Sequence, residues 1–482
     1  MARFGRPEID PVVVATGCLV AVLLMFLPPI LNDSDTLWQI TTGGWILDHR
    51  AIPATDPFSF TAGDRRWFAH EWLAETIMAV AYRGAGLRGV MVLAAGATGL
   101  TAAILLHHLR RFLSGIYALT AVIVALSNAA PSILARPHLL AWPCLAVWCG
   151  GLVAARANRT APSWALLPVM LLWVNLHGSF IVGLLLPGAL MIEAVFDPGA
   201  DRRVALIAWG RFIVAAWLVA LVNPDFLAGV VFPIHLVGMK SLAWIGEWQP
   251  ADFSKFRPLE LIILGGLALG LSGRLKLPPI RLLLFLGLVH AALSHGRNGQ
   301  LLGIVGVLIL AEPMGISLGR GAASPFGPSW RGLSVGAGVF ALAALALRFT
   351  LPLSAERSGA AFATVLDAVP SSVGVEPVLN EYGLGGQLIF AGVRPFIDSR
   401  ADLYGDAFLT RYHRIATGDR GELDRTLSEY HIAWTIFPAG NPVVAMMDER
   451  PGWRRLVEAD GIVVHVRADL QPSEHDEVRP RS

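Results

Sequence analysis

The chain has 482 residues, 54% hydrophobic and only 15% charged, where a soluble domain carries about 25% charge. So few charges cannot cover a soluble fold of this size, and a net charge of +2 gives no polyelectrolyte signal for nucleic acid. The three cysteines, Cys18, Cys144 and Cys149, lie inside apolar runs and build neither a disulfide framework nor a CxxC metal site.

The basic start, Met1-Ala2-Arg3-Phe4-Gly5-Arg6, precedes an apolar run over 11–31. That run is too long for a signal-peptide core and lacks a small-residue cleavage site, so it reads as an uncleaved anchor. With roughly 20 apolar residues per crossing, about eleven spans are expected. They cover 11–31, 87–107, 115–133, 138–155, 163–175, 178–196, 205–222, 258–272, 279–294, 299–316 and 332–353. Segment 71–83 is too short to cross and reads as a helix lying in the membrane interface.

Arginine and lysine set the orientation. With a cytoplasmic N-terminus, the inner side collects Arg3, Arg6, Arg110, Arg111, Arg156, Arg159, Arg202, Arg203, Arg274, Lys276, Arg281, Arg320 and Arg331. The short outer loops hold only Arg136 and Arg297, and long outer loops constrain topology weakly. An odd number of spans then places the C-terminal part outside. Residues 1–353 form the transmembrane domain, with an outer loop at about 32–86 that carries juxtamembrane helices. Residues 354–467 read as a small extracytoplasmic α/β domain, with β-like runs at 377–380, 395–398, 433–437 and 461–467 and helix-like stretches at 407–416, 422–430 and 453–458. The polar tail 468–482 reads as disordered. No P-loop, HExxH or GxSxG occurs, and Gly383-Leu384-Gly385-Gly386 reads as a turn.

On this topology the unusual polar residues gather on one face. Asp33, Asp35, His70 and Glu71 lie in the first outer loop, and Arg136-Pro137-His138, Asn175-Leu176-His177, Glu247-Trp248 and Arg297-Asn298 in later ones. Ionisable groups beside hydrocarbon are costly and persist mainly where they do work. An outward cavity lined by carboxylates, imidazoles and two arginines follows, with His138, Asn175, His177 and Asn298 in its wall. Plainer readings stand beside this one. They are helix capping for Asp33 and Asp35, snorkelling for Arg136 and Arg297, structural bonding for His138 and His177, headgroup-level polarity for His70 and Glu71, and interfacial anchoring for Glu247. A carboxylate there suits general-base work on a hydroxyl, arginines suit phosphate oxygens, and His with Glu suits an acceptor or a divalent ion.

The order Asp33-Ser34-Asp35-Thr36-Leu37-Trp38, Asp56-Pro57-Phe58-Ser59-Phe60 and His70-Glu71-Trp72-Leu73, followed by a short helix and the next span, resembles the first outer loop of the GT-C glycosyltransferases. Those enzymes use polyprenyl-phosphate sugars as donors. A little-characterised bacterial group related to them is resembled at Arg136-Pro137-His138, Trp173-Val174-Asn175-Leu176-His177-Gly178, Asn223-Pro224, Glu247-Trp248 and Arg297-Asn298. In the tail the resembling segments are Asn380-Glu381-Tyr382-Gly383-Leu384-Gly385-Gly386 and Phe396-Ile397-Asp398-Ser399-Arg400-Ala401-Asp402. This chain departs from the pattern in having Asp-Ser-Asp for Asp-Glu, and His-Glu-Trp for His-Pro-Pro.

The resemblance implies a membrane glycosyltransferase of the bacterial inner membrane. It would move a hexosyl or pentosyl unit from a polyprenyl-phosphate donor to a lipid, glycan or protein acceptor on the outer side, in cell-envelope glycan synthesis. Asp35, with Asp33 in support, is the expected catalytic carboxylate. His70, Glu71 and Glu247 organise the acceptor or a metal, for which His70, Glu71 and Asp35 are the candidate ligands and Mg or Mn the candidate ions. Arg136 and Arg297 hold the donor phosphate. Asp398, Arg400 and Asp402 are either acceptor contacts or a salt-bridged turn. The competing readings are a lipid-linked glycan transporter or flippase, a ligase or polymerase of lipid-linked glycans, and a non-catalytic GT-C-like protein.

Overall fold

The computed structural model describes residues 10–26, 30–63, 65–317 and 331–470. Arg3, Arg6 and Arg320 of the basic loops, and the tail from 471 onward, lie outside the described residues.

Each apolar run forms a helix. Six helices among the described residues are long and apolar enough to cross a membrane: Trp72–Leu109, Gly115–Ser132, Pro137–Ala157, Arg202–Ala220, Gly296–Ser317 and Gly332–Asp367. Shorter apolar helices occupy Pro11–Phe26, Trp164–Leu176, Phe180–Val195, Leu227–Val237, Pro258–Leu271 and Pro279–Ser294. Leu227–Val237 falls where a long loop is expected from the sequence, because Gly229, Pro233 and His235 interrupt its apolar pattern. The expected interfacial helix at 71–83 is the first part of Trp72–Leu109, which breaks at Ala85 and Gly86 (φ 59°).

The chain divides into two compact units. The first comprises Met1–Ile30, Val90–Pro233 and Ile245–Leu351. Its helices turn large apolar side chains outward, among them Leu19, Ile123, Leu185, Val214, Leu264 and Leu283. A surface of that kind needs lipid as its solvent, and the protein is a multi-pass membrane protein. Charges inside this unit are paired. Arg281, only 2% exposed, reaches Glu193 at 3.0 Å and Glu312 at 2.6 Å, and Arg156 reaches Glu193 and Asp197, both at 3.1 Å.

The second unit comprises Leu31–Gly89, Ile234–Trp244 and Pro352–Ser482. Its sheet has the order β1-β2-β4-β3, from β1 (Val378–Asn380), β2 (Trp434–Pro438), β3 (Trp453–Ala459) and β4 (Ile462–Arg467). β1 and β2 run parallel, and the other pairs are antiparallel. Phe362, Val365, Val378, Leu388, Trp434, Ile436 and Val464 fill its core.

Two local expectations are corrected here. Residues 453–458 are strand rather than helix, because Asp460 (φ 51°) and Gly461 (φ 74°) make the left-handed two-residue turn that pairs Ala459 with Ile462. Residues 395–398 are not a strand. Their backbone is claimed by the Asn380 side chain: Phe396 N–H and Ile397 N–H donate to its Oδ1 at 2.8 and 3.3 Å, and its Nδ2 donates to Ile397 O at 2.8 Å.

Candidate active site

In the second unit, the acidic motif opens the helix Asp35–His49. Asp33 Oδ1 accepts from the Asp35 N–H at 2.9 Å, satisfying one of the free donors of a helix start. Asp33 therefore braces the helix start from the residue before the N-cap position, which Ser34 occupies, while Asp35 stands at the first helical position. Three residues on, Trp38 Nε1 donates to Ser399 Oγ at 2.9 Å.

Beneath this helix start lies a buried ionic knot. Arg400 reaches Asp56 Oδ1 through Nη1 at 2.7 Å and Asp398 Oδ2 through Nη2 at 2.7 Å. Asp398 also accepts from Arg400 Nε at 2.8 Å and Tyr404 Oη at 2.7 Å, and Asp56 from Ser59 N and Phe58 N at 2.9 and 3.0 Å. The guanidinium stands 4.7 Å from the Trp67 ring and 5.4 Å from Phe58. Asp398 is 0% exposed, Asp56 2% and Arg400 3%. Burial works against the charge on Asp56, and Arg400 with Ser59 overcomes it and holds the carboxyl below its ordinary value. Burial likewise disfavours charged Arg400, yet Asp398 and Asp56 hold it well above its usual range. Of the two readings open for Asp398 and Arg400, the structure gives the salt-bridged turn.

His70 and Glu71 are brought together, with Nε2 3.7 Å from Oε1, and His70 Nδ1 lies 3.2 Å from Phe68 O. Burial pushes the Asp402 carboxyl up while His70 and Arg400 pull against it. Sequence reasoning missed Glu75. It is 1% exposed, and among the described residues its Oε2 makes no hydrogen bond. Glu75 lies one turn beyond Glu71, whose carbonyl accepts the Glu75 N–H at 3.0 Å.

The tail glycines expected as a turn are helical instead, over Tyr382–Leu384 and Gly385–Phe390, and they hold the motif in place. A Cβ on Gly386 would lie 2.3 Å from Ser34 O, so only glycine lets the tail helix Gly385–Phe390 approach the start of Asp35–His49. Gly386→Ala is expected to shift that backbone and cost about 1–3 kcal/mol as an overpacked contact, read as a lowered thermal midpoint of the purified protein. An unchanged midpoint would show that the approach is not tight.

In the first unit, three residues predicted from the sequence meet. Arg136 Nη1 reaches Glu247 Oε2 at 3.0 Å, and Arg297 Nη1 reaches Glu247 Oε1 at 3.0 Å. Arg136 is the N-cap of Pro137–Ala157, and Arg297 lies in the turn Gly296–Asn298. The helices that follow them are pinned by Trp142 Nε1, which donates to Gln300 Oε1 at 2.6 Å. The helix after Arg297 carries a π turn at Leu302–Gly306, a deviation frequent near functional positions.

His138, Asn175, His177 and Asn298, expected in a cavity wall, all make hydrogen bonds within the first unit. His138 Nε2 lies 2.6 Å from Ser132 O, and its ring is 5.9 Å from that of His177. His177 Nδ1 pairs with Ser179 Oγ at 2.9 Å. Asn175 Nδ2 donates to Leu171 O and Val222 O, and Asn298 Nδ2 to Ala291 O at 3.1 Å. Among the described residues, no group of three or more His, Cys, Asp or Glu is placed to hold a metal ion.

No protein-family model matches the chain, and no curated protein matches its sequence. Its structure is similar to that of ArnT from Cupriavidus metallidurans bound to undecaprenyl phosphate, with a TM-score of 0.50 at 13% identity, over 94% of this chain and 97% of that one. It is also similar to the Archaeoglobus fulgidus oligosaccharyltransferase tethered with an acceptor peptide containing the NVT sequon, with a TM-score of 0.51 at 11% identity, over 89% of this chain and 69% of that one. The fold is the GT-C fold. At such identities the likeness is one of architecture, and side-chain roles in this chain rest on its own chemistry.

Proposed function

We propose that the protein is a membrane glycosyltransferase that moves a sugar from a polyprenyl-phosphate donor to an acceptor on the outer side of the bacterial inner membrane. Eleven crossings, a cytoplasmic N-terminus and an extracytoplasmic domain over 354–467 belong to this reading. The observation that carries it is the pairing of Arg136 and Arg297, from distant parts of the chain, on one side-chain anion within a GT-C fold. Two guanidiniums that share a carboxylate have the donor geometry and charge to hold a phosphate.

In the reaction the acceptor hydroxyl loses its proton to a carboxylate, its oxygen bonds to the anomeric carbon, and the bond to the carrier phosphate breaks. Asp35 is the base, and Asp33 fixes the backbone that presents it. The arginines neutralise the departing lipid phosphate. His70 and Glu71 orient the acceptor.

The test incubates purified protein with a panel of radiolabelled polyprenyl-phosphate sugars and membrane extract, with and without chelator. Label passing into a product from one donor is the expected result. Absence of transfer from every donor, with a folded protein, would count against an enzyme.

A further inference from the structure

We infer that Glu247 is a built-in occupant of the phosphate site, an internal anion that the donor's phosphate displaces. This rests on the reading of Arg136 and Arg297 as phosphate ligands and adds what fills their site beforehand. Each Glu247 oxygen lies 3.0 Å from one guanidinium nitrogen, so the carboxylate spans the pair as the two non-bridging oxygens of a phosphate ester would. The charges leave the cluster at +1, which still attracts an anion; the donor's phosphate is a diester with one negative charge, and the carrier monoester left after transfer carries close to two and neutralises the arginines more fully.

Accessibility separates this cluster from the knots at Arg281 and Arg400. The side chains of Arg136, Glu247 and Arg297 are 20%, 35% and 23% exposed, against 2% or less for Arg281 and Arg400. Partly hydrated ion pairs contribute little net stability, so one anion exchanges for another at small cost.

The surroundings fit such an exchange. Glu247 sits in the single turn Gly246–Trp248, where Gly246 has open space around it. The turn is anchored by its neighbours: His295 Nδ1 lies 2.6 Å from Trp248 O, and Gly296 N–H donates to Gln249 O at 3.0 Å. Arg297 stands 4.4 Å from the Trp248 ring, which holds its guanidinium when the carboxylate leaves. A rotamer change of Glu247 then opens the site while its backbone stays in place.

The test measures binding of undecaprenyl phosphate to the full-length protein in nanodiscs, with inorganic phosphate as a second probe. Glu247→Gln is expected to bind the lipid at least tenfold tighter than the unaltered protein, and Arg136→Ala and Arg297→Ala at least tenfold weaker. A gain in Glu247→Gln for inorganic phosphate equal to that for the lipid supports the placeholder and makes free phosphate its ligand; a gain for the lipid alone makes the carrier headgroup its ligand. If Glu247→Gln binds no tighter while the arginine variants bind weaker, the placeholder is overturned and the phosphate site stands. If none of the three variants differs from the unaltered protein, both readings fall. Should Glu247→Gln not fold, the unaltered protein gives the answer through carbodiimide coupling of a glycine ester at Glu247, followed by mass spectrometry. Coupling that rises with undecaprenyl phosphate supports displacement, and coupling that stays level or falls overturns it.

Discussion

Arg400→Leu is expected to destabilise the protein by about 3–5 kcal/mol, the cost of breaking a buried pair by removing one partner. The change leaves Asp56 and Asp398, 2% and 0% exposed, facing each other without a counter-ion. It also removes three guanidinium bonds of 2.7–2.8 Å. Total stabilities are about 5–15 kcal/mol, so most purified material should be aggregated, and any folded fraction should melt far below the unaltered protein. Arg400→Lys keeps the charge without the fork and should fall between. Asp56→Asn should do less harm, because Asp398 still balances Arg400. The Asp56 carboxyl is held below its ordinary 3.8 in the fold. Its contribution is therefore fully present above about pH 4 and lost as pH falls through the lower folded value. Melting curves across that range should show the loss in the unaltered protein and a smaller one in Asp56→Asn. An unmoved midpoint in Arg400→Leu would mean that the knot contributes nothing to stability.

That knot marks how far the sequence can be read. Asp56-Pro57-Phe58-Ser59 and Asp398-Ser399-Arg400 both stand out as motifs, but Asp56 and Arg400 are 344 residues apart, and no local pattern announces their pairing. The helices are legible because burial in lipid selects unbroken apolar runs. Leu227–Val237 fails that test, since glycine, proline and histidine dilute its run. Strand Trp453–Ala459 reads as a helix when its charges are counted alone; the deciding signal is the Asp460-Gly461 turn that follows it. Residues 395–398 look like a strand because of Phe396 and Ile397, and the side chain that takes their hydrogen bonds, Asn380, lies well upstream. Arg136 and Arg297 were legible singly, as arginines in otherwise poorly charged short loops. Their meeting on Glu247, 111 and 50 residues away, is tertiary. Glu75 was hidden by its apolar neighbours in Trp72–Leu109.

Asp35→Asn is expected to abolish sugar transfer, lowering the rate by about 100- to 10,000-fold, the span of a lost general base. Expression and melting should stay unchanged, because the first helical turn favours an amide nearly as well as a carboxylate and the backbone N–H of residue 35 still meets Asp33. Asp33→Asn separates catalysis from support. An asparagine oxygen accepts the same N–H, so a residue that only holds the helix start should lose little activity on that change, whereas a base should lose nearly all of it. Asp33→Ala removes the acceptor and should cost about 1 kcal/mol of stability, with a modest loss of rate from a displaced Asp35. If Asp33→Asn is dead and Asp35→Asn active, the base is Asp33. If both asparagine variants turn over like the unaltered protein, neither carboxylate takes the proton, and the buried Glu75 one turn beyond Glu71 becomes the acid to test.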